Sequence, residues 1–182
     1  MDWSLNRRNA VRTALLLTPL TLLASGGNAP QGAHFPDVTA DSLSKQTLHL
    51  PADFGPGDTL VLIAFERNQQ KDVDTWTAAE VALARQQTEF RFYEIPVLPW
   101  RDVFYRWWLN TAMRSGTPDE AARKRTVPVY LNKEGFRNSL QITTEKTISV
   151  LLLNKSGQVV WRTVGDWTEE KQRAMVYALD HP

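Results

Sequence analysis

The chain contains no cysteine, which removes a thiolate nucleophile, a disulfide and thiolate metal ligation together. Histidine is nearly as scarce: His34, His49 and His181 are scattered and form no ligand set at metal-site spacing. Neither a metal nor a cofactor is expected, and no residue stands out as catalytic. A glycine-rich phosphate loop and a Ser-His-Asp arrangement are also missing. Nor is there an excess of one charge: 21 basic side chains against 20 acidic ones give a formal net charge of +1, so nothing draws the chain to nucleic acid, which is not expected as a partner. What is present is an ordinary soluble composition, 42% hydrophobic and 23% charged over 182 residues, enough for one domain with a proper core. The single excess is tryptophan, with seven.

The first residues read as an address. Arg7, Arg8 and Arg12 precede an apolar run over residues 14–24, and the small residues Ser25, Gly26 and Gly27 follow, the order of an export signal. The run is shorter than a membrane span requires and Pro19 interrupts it, so a permanent anchor is the secondary reading. Residues 1–27 are therefore expected to be an export signal, with residues 28–182 the mature domain. The RRNAVR stretch over residues 7–12 fits a twin-arginine signal or an ordinary secretory one, and the periplasm or cell envelope is the expected destination by either route. Loss of residues 1–27 removes three arginines and one aspartate, leaving the mature chain near −1.

Along the mature chain, residues 34–51 form a lead-in segment with a short strand over 46–50, and residues 51–58 are dense turn chemistry. Residues 59–65, TLVLIAF, are a continuous apolar run bounded by turn signals, as expected of a central strand buried on both faces. A helix follows over residues 74–88 with Asp72 or Asp74 as N-cap and Trp76, Ala79, Leu83 and Gln87 on one face. Residues 90–98 read as a second strand, 100–113 as a helix stopping at Ser115 and Gly116, and 126–132 as a third strand. Residues 148–153 and 158–164 form an antiparallel hairpin whose Gly157 takes the left-handed turn position. Asp166 and Glu169 resemble a capping box for a final helix over residues 168–179, with Ala174, Tyr177 and Ala178 on its apolar face. The order is α/β with a mixed sheet: a parallel pair joined by a helical crossover, then a hairpin and a terminal helix.

That order looks like the thioredoxin-like fold in its peroxiredoxin-type elaboration. The resemblance implies redox cysteines in the loop after the first core strand, here about residues 70–73, and a facing cis-proline near Ile148. Neither place carries the residue that redox chemistry needs. More narrowly, Gln70 with Val73, Asp74, Thr75 and Trp76, then Tyr93, Glu94, Ile95 and Pro96, Met113, Arg114 and Asp119, resemble the mitochondrial ATP synthase Fo-sector assembly factors and their uncharacterised bacterial relatives. An assembly role is what that resemblance implies.

Candidate binding residues follow from chemistry at the strand–helix corner and beyond. Arg67, Gln69 and Gln70 lie beside a helix N-terminus, whose free N–H groups suit an anion or a partner's backbone; a solvated loop is the alternative. Asp74 and Trp76 are read with Glu94 and Arg114 as a polar cluster at the ends of the parallel strands, with a plain structural salt bridge as the alternative. Trp100, Phe104, Tyr105, Trp107 and Trp108 interleave with Arg101 and Arg106, a pattern that suits a protein surface or a membrane interface. On a helix Val103, Phe104, Trp107 and Trp108 share one face, and the core is where that face is expected. Arg123, Lys124 and Arg125 read as a solvated helix end.

Two functions of different class are consistent with these residues. The favoured one is a redox-inactive, cysteine-free thioredoxin-like protein of the envelope that binds another protein, such as a membrane-complex subunit, with at most peripheral membrane contact. The alternative is a small enzyme or ligand-binding protein using Arg67, Asp74, Glu94 and Arg114 on an anionic or peroxide-like molecule.

Overall fold

The computed structural model describes residues 32–86, 89–101 and 103–181. The expected export segment and Gln87 lie outside these residues, as do the side chains of Leu83 and Val103. Among the described residues no helix is long and apolar enough to cross a membrane.

The organising element is strand β3 (Thr59–Ala64), which follows a small antiparallel hairpin of β1 (Val38–Asp41) and β2 (Thr47–Leu50). Its apolar run needs cover on both faces, and it receives that cover at the centre of a five-stranded sheet. After β3 come α1 (Gln70–Gln86), β4 (Arg91–Pro99), α2 (Val103–Gly116), α3 (Glu120–Arg125), β5 (Val129–Leu131) and α4 (Lys133–Ser139). Strands β6 (Ser149–Leu153) and β7 (Val159–Val164) and helix α5 (Glu169–Asp180) complete the chain. The sheet order is β5-β4-β3-β6-β7, with β3, β4 and β5 parallel and β6 and β7 antiparallel to their neighbours.

Alternation along the central strands sends side chains to two separate cores. Val61, Ile63, Leu151 and Leu153 face Phe35, Phe54, Leu48, Leu50 and Phe136, so the β1–β2 hairpin and α4 form one outer layer. Leu60, Leu62, Val150 and Leu152 face Val73, Trp76 and Met175, so α1 and α5 form the other. The mixed α/β arrangement read from the sequence is the one observed.

Several local expectations are corrected. Helix α1 opens at Gln70, and its entry is capped by Glu66 and Gln69 in a reciprocal capping box around the short 3₁₀ turn Arg67–Gln69, rather than by Asp72 or Asp74. Helix α5 is capped by Thr168, whose hydroxyl accepts from the Lys171 N–H at 3.2 Å, while Asp166 pairs with the Lys171 ammonium at 3.6 Å. The inward face of α5 is Met175, Val176, Ala178 and Leu179; Ala174 and Tyr177 point outward. The lead-in segment holds two strands instead of one. The expected third strand shrinks to Val129–Leu131, because Pro128 offers no N–H to a ladder, and Thr126 forms only an isolated bridge with Glu94. The hairpin turn behaves as expected: Gly157 sits at φ 80°, and a Cβ there would meet Pro51 at 2.6 Å.

One buried group resists the packing. Glu80 on α1 is fully buried, both carboxylate oxygens lack a hydrogen-bond partner, and burial pushes its pKa from 4.5 to about 8. Because the folded value lies above the unfolded one, the neutral acid is the form the fold accommodates. The cost of ionising it appears as pH rises past 4.5 and is complete above about 8. Global stability should therefore fall between these limits by roughly 4 kcal/mol. Denaturant titrations of Glu80→Leu across that range should show most of this slope removed and a more stable protein at high pH. Glu94, shifted in the same direction by burial, accounts for a residual slope.

Candidate functional site

The corner between β3 and α1 is closed by a side-chain lock. Gln69 is only 3% exposed. Its carboxamide oxygen accepts from the Phe65 N–H at 2.8 Å and the Glu66 N–H at 3.3 Å, while its Nε2 donates to the Glu145 carbonyl at 2.5 Å. The Glu145 carboxylate in turn receives Lys133 and, at 3.1 Å, Arg137; these hydrogen bonds, that from Lys133 first, hold its pKa below the usual carboxylate range. Lys133 also lies over the Phe65 ring, 5.4 Å from its centroid. The amide that the sequence reading offered to a partner is thus occupied within the fold. Arg67 and Gln70 are exposed, and Gln70 donates to Asp74 at 3.0 Å.

The second group of candidates does not converge. Trp76 is fully buried in the α1–α5 core, where its indole N–H donates to the Gly165 carbonyl at 3.0 Å. Asp74 lies on the exposed side of the same helix. Glu94 on β4 accepts from Thr77 and Thr126, each at 3.3 Å, and burial raises its pKa against these hydrogen bonds and the nearby Arg125 charge. Arg114 donates to the Leu43 carbonyl at 2.5 Å. Leu43 reaches Thr126 through the backbone at 2.9 Å, so Arg114 and Glu94 are joined through a relay instead of an ion pair. Neither residue lines either of two surface cavities, of about 620 and 470 Å³. Among the described residues no group of three or more His, Cys, Asp or Glu side chains stands together as a metal site requires.

Helix α2 is the reverse of the expected core helix. Trp100 is 69% exposed, Phe104 73%, Trp107 62%, Trp108 54% and Tyr105 42%, and no described residue of α2 belongs to either core cluster. Polar ties on its inner side hold the helix instead. The Tyr130 hydroxyl donates to Asn110 at 2.7 Å, and Arg114 grips Leu43. Arg106 lies between two rings, 5.2 Å from Trp100 and 5.0 Å from Tyr130. Such an exposed set of Trp, Tyr and Phe with arginine is the composition of the buried centre of a protein interface. Glu145, with the Lys133 and Arg137 that pair with its carboxylate, was missed by the sequence reading because its tie to the corner, the bond from Gln69 to its carbonyl, spans 76 positions of the chain.

No family model matches the chain, and no curated protein matches it in sequence. Solved structures do resemble it. A thiol-disulfide oxidoreductase thioredoxin domain from Bacteroides vulgatus aligns at 15% identity and TM-score 0.53, covering 83% of this chain and 99% of that one. A DsbE-type thiol:disulfide interchange protein from Chlorobium tepidum aligns at 13% identity and TM-score 0.54, covering 82% and 98%. BsSco, a member of the Sco family of cytochrome c oxidase assembly proteins, aligns at 13% identity and TM-score 0.59, covering 85% and 98%. The fold is thioredoxin-like, and the chain carries no cysteine with which to repeat the chemistry named in these descriptions.

Removing the lock tests its structural weight. Gln69→Ala strands two backbone N–H groups and one carbonyl in a buried corner, and should lower unfolding free energy by about 2–3 kcal/mol in chemical denaturation. Gln70→Ala at the exposed neighbouring position should change it by less than about 0.5 kcal/mol.

Proposed function

We propose that this protein is a redox-inactive thioredoxin-like module of the cell envelope that binds another protein and aids the assembly of a membrane complex. The observation that carries the proposal is the aromatic face of α2, which lies outside both cores and is exposed. Soluble proteins rarely leave so much contiguous aromatic surface to water unless it meets a partner.

Three further points support the reading. The strand–helix corner is closed by the Gln69 lock, and the adjoining residues 70–73, where the resemblance places the redox cysteines, carry none, which supports action by contact. The export-signal pattern of residues 1–27 directs the chain out of the cytoplasm. An assembly role fits both the resemblance to the Fo-sector assembly factors and the description of the structural neighbour BsSco. Of the resembling residues, Trp76 is buried and ties α1 to Gly165, while Gln70 bonds only to Asp74 within α1, so recognition is assigned to α2.

Photo-crosslinking in the living cell, from probes at Phe104, Trp107 and Gln70, tests the proposal. A single membrane-complex subunit should be captured at Phe104 and Trp107, and more weakly at Gln70. The pair Trp107→Ala and Trp108→Ala should abolish capture from Phe104 while leaving stability within about 0.5 kcal/mol, because both side chains are exposed. Capture of no protein from any of the three positions, or capture indifferent to the alanine pair, sinks the reading.

A further inference from the structure

The sheet has an open edge beside a charged groove. Strand β5 pairs with β4 only from Val97 to Pro99, and the bridge between Thr126 and Glu94 is the last tie before the start of β4. Among the described residues, the side of β4 formed by residues 91–93 therefore lacks a neighbouring strand on the β5 side. The backbone phase there is readable. The Arg91 N–H goes inward to the Asp58 carbonyl at 3.1 Å, while the Glu94 carbonyl faces outward and takes the Val127 N–H at 2.9 Å. Alternation along the strand turns the N–H and carbonyl of Phe92 outward as well, into the open edge.

A cavity of about 620 Å³ lies on this edge. Its lining comes from both faces of the sheet: Leu48 and Tyr93 from the hairpin side, Val81 and Phe92 from the α1 side. That volume falls within the range of about 300–1,000 Å³ usual for ligand sites. Lys124 and Arg125 stand at the groove with Arg91, whose guanidinium donates to the Phe90 carbonyl at 3.0 Å; of the nearby carboxylates, Asp53 lines the groove and accepts from the His49 N–H at 2.6 Å, and Glu94 lies near Arg125. Arg125 lies over the Phe92 ring, 4.5 Å from its centroid, and its Nε is buried without a hydrogen-bond partner. An unpaired stretch of strand, apolar walls and an excess of positive charge coincide at a single place.

We propose that this groove docks an extended acidic peptide, which adds to the sheet as a strand beside residues 91–93 and sets its carboxylates against Lys124 and Arg125. Backbone pairing to Phe92 supplies register, the walls take alternate apolar side chains, and the cations select against neutral or basic sequences. Charges on an edge also deter accidental strand pairing, but an excess of positive charge deters chiefly basic strands and attracts acidic ones. The site is separate from the α2 face and does not rest on it.

Fluorescence anisotropy with the full chain tests the proposal. The probe is a fluorescein-labelled peptide of alternating glutamate and valine with a free C-terminus. It should bind saturably and weaken as salt rises. Lys124→Gln, at an exposed position with no part in the core, and Arg125→Gln should each weaken binding about tenfold. Methylation of alternate backbone nitrogens in the peptide should abolish binding, whereas the Trp107→Ala and Trp108→Ala pair should leave it unchanged. Equal binding of the methylated peptide, or of one with glutamine in place of glutamate, overturns strand addition. Full displacement of the methylated peptide by dodecanoate would instead identify a site for a free amphiphilic anion, and absence of saturable binding overturns the proposal outright.

Discussion

Strand β3 is buried on both faces, and the backbone that leaves it has to satisfy its polar groups where water cannot reach. Gln69 meets that constraint. One carboxamide accepts from two N–H groups at the end of the strand and donates across the corner to the Glu145 carbonyl. Glu145 is itself pinned by Lys133 and Arg137 from α4 and its start. The corner thus joins the central strand, the first helix and the segment that leads into β6. A thiol could not replace this amide, because it lacks both the second acceptor capacity and the N–H donors. Absence of cysteine and closure of the corner are consistent parts of one arrangement.

With that corner closed, the polar residues around it settle into structural roles. Trp76 fastens α1 to the loop after β7, and Arg114 fastens α2 to the β1–β2 hairpin. Glu94 sits among two hydroxyls and near Arg125, so its charge has partners that Glu80, one layer away on α1, does not. The difference decides their behaviour: a carboxylate met by hydrogen bonds tolerates burial, whereas one without them is held as the neutral acid.

Much of the fold was legible because its strongest signals are local. The TLVLIA run, the Gly157 turn and the apolar strands flanking it are contiguous in sequence, and each specifies one element. Caps were less legible: Asp72 and Asp74 are good capping residues, yet the Glu66–Gln69 box begins the helical path earlier and leaves Asp72 in the first turn. The candidate site was legible only in its parts. Gln69 is bonded to a carbonyl 76 positions away, and no local pattern announces such a contact. The aromatic segment misled because helical spacing shows that side chains share a face but not which way the face turns. Here both outer layers of the sheet are already supplied, by α1 and α5 on one side and the hairpin and α4 on the other.

That saturation carries the functional argument a step further. Helix α2 is attached through Asn110, Arg106 and Arg114, all polar contacts on its inner side. Its outer aromatics contribute nothing to either core, and leaving them in water forfeits the free energy their burial would release, roughly 25 cal/mol for each Å² of apolar surface. Folding alone supplies no reason for five such side chains on one short segment. Their chemistry suits the docking face proposed above, and the polar anchoring explains how the segment stays ordered enough to present it. A rigid face that needs no rearrangement to bind loses less entropy on association than a loop would, and for the proposed docking role the β-sheet core and its Gln69 lock would fix the platform from which α2 projects.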